Sequence, residues 1–393
     1  MRVVHYCQHV LGMGHFFRSL EIDHALAGHE VTLITGGTPV SVSYPKHVQV
    51  IELPSLSMDE DFGTFVRTDE QGKKHPLTEQ ELEGIKAQRA TILTETLLAL
   101  QPDIFLVELF PFGRKQFSFE LMPVLELVKD NAFPTMQTIC SVRDILVEKA
   151  NQLKFEERVL SILNTYFDAV LVHTDPSVIT LGATFPRINE ISIPIYNTGY
   201  ISPKPRITNS QTVRNSLSIA DGTPFILGSI GSGSVHPELM EHLASASILL
   251  QETTPHSLLI STGPFMQQRF QQKIRKLCEP YPHITVTDFI PNFIDYLNAA
   301  DLSFSMAGYN TTMNLLAVNT FGLVYPFDQN REQRMRSTSL EQLGALKVIE
   351  QNDITPDALQ HILSRHLNQT PSPNNTVDLN GAVQSVKIME KLL

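Results

Sequence analysis

Residues 11–19 read LGMGHFFRS, with a histidine and an arginine set just after a short glycine turn. Gly12 and Gly14 let a ligand approach the main chain closely. The helix that opens there presents unpaired N–H groups. His15 follows a glycine turn and not an apolar stripe, and its imidazole titrates near neutrality, which suits taking a proton from a hydroxyl nucleophile. Capping the helix is the plain alternative for His15. Arg18, one turn on, is placed to pair with a carboxylate of the chain or to meet a carboxylate or phosphate on a ligand.

Two further glycine loops carry a different chemistry. GSIGSGS (228–234) and MAGYNTT (306–312) each follow an apolar run and open a helical pattern. Backbone N–H groups at a helix start form a ready phosphate site, with about half a positive charge there. The hydroxyls of Ser232, Ser234, Thr311 and Thr312 add donors, and Gly231, Gly233 and Gly308 allow close approach. Either loop alone reads as an ordinary turn. Two of them in one half of the chain point to phosphate binding.

Chemistry of this kind needs a scaffold of parallel strands, whose ligands lie beyond the carboxyl ends. Short β-rich runs alternate with helical patterns throughout, the α/β signature. In the first half the strand candidates are 3–7, 30–35, 48–53, 104–109, 135–140 and 169–174, with a long helix over 78–101. After a break at 197–224 that holds three prolines, the pattern restarts at 225–230, 257–262, 284–289, 302–306, 321–326 and 346–349. The division reads as 1–200, 201–370 and a tail helix within 371–393, which is expected to pack back over the junction. The insert 55–76 reads as a surface loop or flap.

Composition narrows the partners. A net charge of −11 with no basic run longer than two residues excludes unspecific nucleic-acid binding. Cys7, Cys140 and Cys278 are odd in number and far apart, and without a C-x-x-C they suit buried apolar positions better than disulfides or zinc. The N-terminus lacks a signal h-region, and 18 apolar residues never run together, so the expected location is the cytoplasm. LFPFGRKQFSF (109–119) either packs its rings inward or forms an aromatic-basic face for a lipid-linked acceptor at the inner face of a membrane. Arg143 and Asp144 follow another strand and either face a ligand or pair locally. Asp175, in HTDPSV, reads as a helix N-cap. The acidic run at 59–61 spells Asp-x-Asp, but it lies in the polar insert and reads as a solvated loop.

GMGHFFRS, QPDIFLVELFPFGR, GSIGSGS, DFIPNFIDYLNAADLSFSMAGYNTTMNLL and NREQRMRS occur in the order and spacing of a GT-B glycosyltransferase. The chain resembles the family 28, MurG-like group over both halves, most strongly over 284–345. The resemblance implies two Rossmann-like doubly wound domains facing across a cleft. The C-terminal one would hold a nucleotide-diphosphate sugar, UDP-linked by expectation, and the N-terminal one a hydroxyl acceptor. It further implies inverting, metal-independent transfer of a hexosyl or N-acetylhexosaminyl group without a bound cofactor. Gly14 and His15 match the family's glycine-histidine loop, with His15 the base. Gly12, Arg18, Glu108, Arg114 and Arg143 fall on the acceptor side.

By the same resemblance Gly231, Ser232 and Gly233 lie at the diphosphate, and Phe289 and Ile290 at the nucleobase. Gly308, Tyr309, Asn310, Thr311 and Thr312 form the helix start below the phosphates, and Gln333 meets the donor sugar. Two positions depart from the pattern. Asn314 stands where a glutamate grips the ribose hydroxyls, and a charged acceptor bonds about twice as strongly as a neutral one. Arg336 stands where the cell-wall enzyme has asparagine. The pattern therefore fits a relative other than the cell-wall enzyme. A nucleotide-sugar hydrolase or 2-epimerase of the same fold, and a non-catalytic nucleotide-sugar binder, remain the alternatives.

Overall fold

The computed structural model describes residues 1–9, 14–37, 42–58, 64–68, 74–207, 209–233, 235–327, 331–369 and 376–393. Gly12, Ser234 and the acidic run at 59–61 lie outside the described residues. The chain divides into two compact units, Met1–Ile201 with Asp378–Leu393, and Ser202–Val377.

The first unit opens with β1 (Arg2–Cys7), α1 (Gly14–Ala25), β2 (Glu30–Thr35) and β3 (Val48–Glu52). Next comes a small antiparallel sheet of β4 (Ser57–Met58), β5 (Phe65–Thr68) and β6 (Lys74–Pro76). This corrects the reading of 55–76 as a loop. Leu56 and Met58 are buried there, and the Phe65 ring meets Phe117 edge-on. Strands of two to four residues are too short to show a period. The unit continues with α2 (Glu79–Leu100), β7 (Ile104–Glu108), α3 (Ser118–Lys129), β8 (Gln137–Arg143), α4 (Gln152–Tyr166), β9 (Ala169–His173) and β10 (Ile195–Asn197). Helix α2 starts at a capping box, in which the Thr78 hydroxyl accepts from Glu81 N–H and the Glu81 carboxylate accepts from Thr78 N–H, closing two orphan donors. The main sheet runs β10-β9-β8-β7-β1-β2-β3 with every pair parallel. Every residue of β7 and β9 is buried, as strands covered on both faces require.

The second unit holds α5 (Ser210–Ser216), β11 (Phe225–Ser229), α6 (Glu238–Leu250), β12 (Ser257–Ser261), α7 (Gln268–Cys278), β13 (Ile284–Thr287) and α8 (Phe293–Ala299). It continues through β14 (Leu302–Met306), α9 (Tyr309–Val318), β15 (Gly322–Tyr325), α10 (Arg331–Gln342), β16 (Leu346–Val348) and α11 (Pro356–Gln369). Its parallel sheet runs β13-β12-β11-β14-β15-β16. Both sheets reverse their winding beside the first strand, between β1 and β7 and between β11 and β14. Such a switch point leaves a crevice at the carboxyl ends.

The last helix, α12 (Gly381–Leu392), belongs to the first unit. Its Val386 and Met389 share an apolar cluster with Val3, Ile22 and Leu26. The tail is therefore part of the first core and not a separate piece. A Cβ at Gly381 would lie 2.3 Å from the Gly199 carbonyl oxygen, so α12 begins in direct contact with main chain. Tyr200 N–H donates to the Asp378 carbonyl at 2.7 Å and Gly381 N–H to the Tyr200 carbonyl at 2.9 Å. The two places where the chain passes between units are thus stitched together.

Candidate active site

At the first switch point, α1 begins with Gly14 and carries His15 and Arg18 three residues apart on one face. Glu108 ends β7 on the other side of the crevice, fully buried. His15 Nδ1 lies 2.8 Å from Glu108 Oε1. Arg18 Nη2 donates to the same oxygen. Arg18 Nη2 also lies 3.1 Å from Nδ1, but it donates to the nearer, charged oxygen. Against that ionised carboxylate, which only accepts, Nδ1 must donate, so it carries the ring proton and Nε2 keeps its lone pair. No described residue hydrogen-bonds Nε2, and the side chain is 21% exposed. Burial would raise the Glu108 carboxyl, but Arg18, His15 and the Ser141 hydroxyl together pull it well below the usual carboxylate range. Burial outweighs the Glu108 contact at His15 and, with the Arg114 and Arg18 charges, pushes the imidazole down to about 3. The resting site therefore holds a neutral imidazole against an ionised carboxylate.

Sequence placed Arg18 as a ligand contact or a salt bridge, and the structure makes it the buried partner of Glu108. It placed Glu108 only generally on the acceptor side. The Nδ1 pairing was not legible, because 93 residues separate the partners. Behind Glu108 lie Ser141 and His173, which sequence reasoning passed over. Their only signal was a polar side chain within an apolar strand. Arg114 sits at φ 56°, close enough to Glu108 and Arg143 for their charges to act on it. Its Nε is buried without a hydrogen-bond partner among the described residues. Arg143 Nε donates to the Ile145 carbonyl at 3.0 Å. Asp175 caps a turn and not a helix, accepting from Ser177 N–H at 2.8 Å. Beyond β2 and β3 a cavity of about 340 Å³ is lined by His9, Phe16, Thr35, Tyr44, Glu52 and Gln88 among others.

Of the two readings of 109–119, the structure takes the inward packing of the rings. Phe110, Phe112 and Phe117 are buried, the Phe112 ring meeting Phe185 at 5.3 Å, because the rings gain more from the core than from water. No helix among the described residues is long and apolar enough to cross a membrane. All three cysteines are buried and free, and burial pushes the Cys7 thiol up to about 12.

In the second unit, the glycine turn after β11 and the start of α9 flank the other switch point. Gly231 takes φ 68° with open space where a Cβ would be, leaving its main chain approachable. Gly233 has a different reason to be glycine, since a Cβ there would lie 2.4 Å from the Thr262 carbonyl oxygen. Ser232 lies between them, with its carbonyl accepting from Phe265 N–H at 2.8 Å. Gly308 is the N-cap of α9, and Tyr309, Asn310 and Thr311 form its first turn.

One expected donor is corrected. The buried Thr312 hydroxyl donates within its own helix, to the Gly308 and Tyr309 carbonyls at 3.0 and 2.9 Å, so it is not available to a phosphate. Tyr309 is buried beneath the Arg336 guanidinium, 5.3 Å from its ring centre. Asn314 Oδ1 accepts from the Ser202 hydroxyl at 3.0 Å. Gln333 Oε1 accepts from Phe327 N–H at 3.0 Å, which leaves its NH₂ to donate elsewhere. Phe289 is 52% exposed while Ile290 is buried, so the first presents a ring face and the second only main chain.

Residues 229–392 match the glycosyltransferase family 28 C-terminal domain. The match runs on through α12, which packs on the first unit. A segment of 121 residues is 28% identical to the UDP-N-acetylglucosamine--N-acetylmuramyl-(pentapeptide) pyrophosphoryl-undecaprenol N-acetylglucosamine transferase of Haemophilus influenzae (strain PittEE), covering 29% of this chain and 34% of that protein. The chain thus spans about a third of the length of that curated relative. Over the full length of both chains, the fold is similar to Acinetobacter baumannii MurG, with TM-score 0.59 and 16% identity. It is similar also to the UDP-GlcNAc 2-epimerase of Methanocaldococcus jannaschii, with TM-score 0.63, 12% identity and full coverage of both chains. The matched region thus sits in a chain with the GT-B architecture of two parallel-sheet α/β units.

Proposed function

We propose that the protein is an inverting glycosyltransferase that moves a hexosyl or N-acetylhexosaminyl group from a nucleotide-diphosphate sugar to a hydroxyl acceptor. The observation that carries the reading is the 2.8 Å contact from His15 Nδ1 to Glu108, which leaves Nε2 as an open base. In the proposed reaction Nε2 takes the acceptor's hydroxyl proton and the freed oxygen attacks the anomeric carbon. The bond to the nucleotide diphosphate breaks, and the diphosphate leaves with the electron pair. Glu108 stabilises the imidazolium as it forms, the role of the carboxylate in a Ser-His-Asp triad. The N–H groups at the start of α9 and the open turn at Gly231 meet the negative charge that develops on the leaving group. The reading assigns no metal and no resident cofactor to the step.

The family 28 match and the relatives named for UDP-N-acetylglucosamine support a UDP-linked donor. The cavity beside Phe16 falls within the usual size of ligand pockets and gives the acceptor room in the first unit. Those relatives are named for a pyrophosphoryl-undecaprenol acceptor. The reading for this chain is the coarser one, a hydroxyl.

A thermal-shift panel of nucleotide-diphosphate sugars tests the donor half, since a ligand at a hundred times its Kd adds about 2.7 kcal/mol. The stabilising donor is then offered with pooled hydroxyl acceptors and the products weighed by mass spectrometry. His15→Ala is expected to lower transfer by about 10²- to 10⁴-fold with the donor-induced shift intact. Unchanged turnover would remove the imidazole from the mechanism. Donor consumed without acceptor would make the protein a hydrolase, and donor interconverted without loss an epimerase. A donor-induced shift with no turnover of any kind would leave a binding protein.

A further inference from the structure

We propose that Ser141 and His173 are positioning residues that set the tautomer of His15 through the far oxygen of Glu108. The inference rests on the reading of His15 as the base. Glu108 Oε1 is taken by Arg18 and His15, and its Oε2 accepts from the Ser141 hydroxyl at 2.6 Å. Ser141 has one proton and spends it there, so its oxygen must accept from the neighbour at 2.9 Å, His173 Nε2. That requirement places the His173 proton on Nε2 and leaves Nδ1 bare. Nδ1 faces the Thr198 hydroxyl at 2.9 Å. The single Thr198 proton has two acceptors in reach, Nδ1 and the Gly199 carbonyl at 2.8 Å.

The order of donation is therefore fixed from His173 through Ser141 to Glu108. Glu108, Ser141, His173 and Thr198 are each at most 1% exposed, so no water substitutes for a missing link. Burial, assisted by Arg18, holds His173 neutral, which a one-proton link requires. Without the Ser141 hydroxyl, Oε2 would be an unsatisfied buried oxygen, and the carboxylate would be free to turn about its last bond. The oxygen that keeps the proton of His15 on Nδ1 would then be lost, and the lone pair would no longer be confined to Nε2. Ser141 and His173 reach the chemistry only through Glu108.

Selective ¹⁵N-histidine labelling of the full chain tests this without turnover. Wild type is expected to show His15, assigned by its loss in His15→Ala, with a protonated Nδ1 and a bare Nε2. Ser141→Ala is expected to mix the two tautomers, and Ser141→Thr, which restores a hydroxyl, to return the wild-type pattern. His173→Gln keeps an N–H facing Ser141 and is expected to hold the pattern, whereas His173→Leu is expected to lose it. In transfer assays Ser141→Ala is expected to lower kcat about tenfold or more with the donor KM unchanged, the scale of one hydrogen bond to a charged group. A folded Ser141→Ala protein with the wild-type tautomer would overturn the proposal. So would a wild-type His15 that carries its proton on Nε2. The spectrum stays decisive if no transferase activity is found, so failure of the functional reading and failure of the relay are separate results.

Discussion

At Glu108 a single buried carboxylate answers an arginine, an imidazole and a hydroxyl, and that crowding governs how the protein responds to acid. His15 and His173 are both pushed down by burial to about 3, from an ordinary value of 6.5. On unfolding they return to that ordinary value and take up protons that the folded state refuses. Between those two values the unfolded chain binds more protons, so folding stability falls as the pH drops, and above about 6.5 the two rings contribute no slope. Glu108, lowered as well, adds to the loss only below its ordinary 4.5. Urea unfolding between about pH 7.5 and 5 should show stability falling by up to about 1.4 kcal/mol per pH unit for each imidazole. His173→Gln is expected to flatten that slope. A wild-type slope of zero would mean that the rings are not held neutral. With His15 as the proposed base, the pH–rate profile should agree, with an acid limb well below pH 6.5, because that imidazole stays unprotonated through the neutral range.

At the scale of elements, α2 and α3 are locked to the carboxyl ends of β1 and β2 by a buried ion pair. Arg89 makes two parallel bonds to Glu120, each 2.6 Å. It also donates to the Gly36 and Pro54 carbonyls and to Gln8 at 3.0, 2.7 and 2.7 Å. Tyr6 donates to the same carboxylate. Removing one member strands a buried charge, so Arg89→Ala is expected to cost about 3–5 kcal/mol in urea unfolding. Lysine at 89 cannot restore the two-pronged geometry. A Cβ at Gly36 would lie 2.2 Å from Arg89 Nη1, so Gly36→Ala should destabilise through the same pair, and a double variant should lose less than the sum. Sequence held no hint of this cluster, because its members lie in a strand, two helices and three loops, and Arg89 and Glu120 read as surface residues by type. The main strands were legible, since runs such as IFLVE and AVLVH are apolar without alternation and sit between helix formers. Their ends were read within a few residues. The three short strands of the small sheet were invisible for lack of length. At the site, the glycine turns announced where main chain is open. The hydroxyl of Thr312 was misjudged because type and position do not reveal which way a side chain turns.

At the scale of the whole molecule, the first core is completed only by the end of the chain. Val386 and Met389 fill positions beside Val3, Ile22 and Leu26, so removing 378–393 would uncover apolar surface on α1 and β1. Burying two such side chains contributes roughly 1.5–3 kcal/mol each. The truncated chain should therefore lose several kcal/mol from the unfolding of the first unit in calorimetry, with the second transition little moved. Equal loss in both transitions would show that the tail serves the two units alike.

Because Tyr200 and Asp378 are hydrogen-bonded neighbours, the 176 residues from Ser202 to Val377 leave the first core and re-enter it at nearly one point. Such a segment is topologically a cassette. A short bridge from Ile201 to Asp378 would close the wound left by its excision, and its own ends would meet well enough to be expressed alone. On the proposed function, exchange of that cassette between relatives is expected to change the activated sugar while His15 and its buried carboxylate stay where they are.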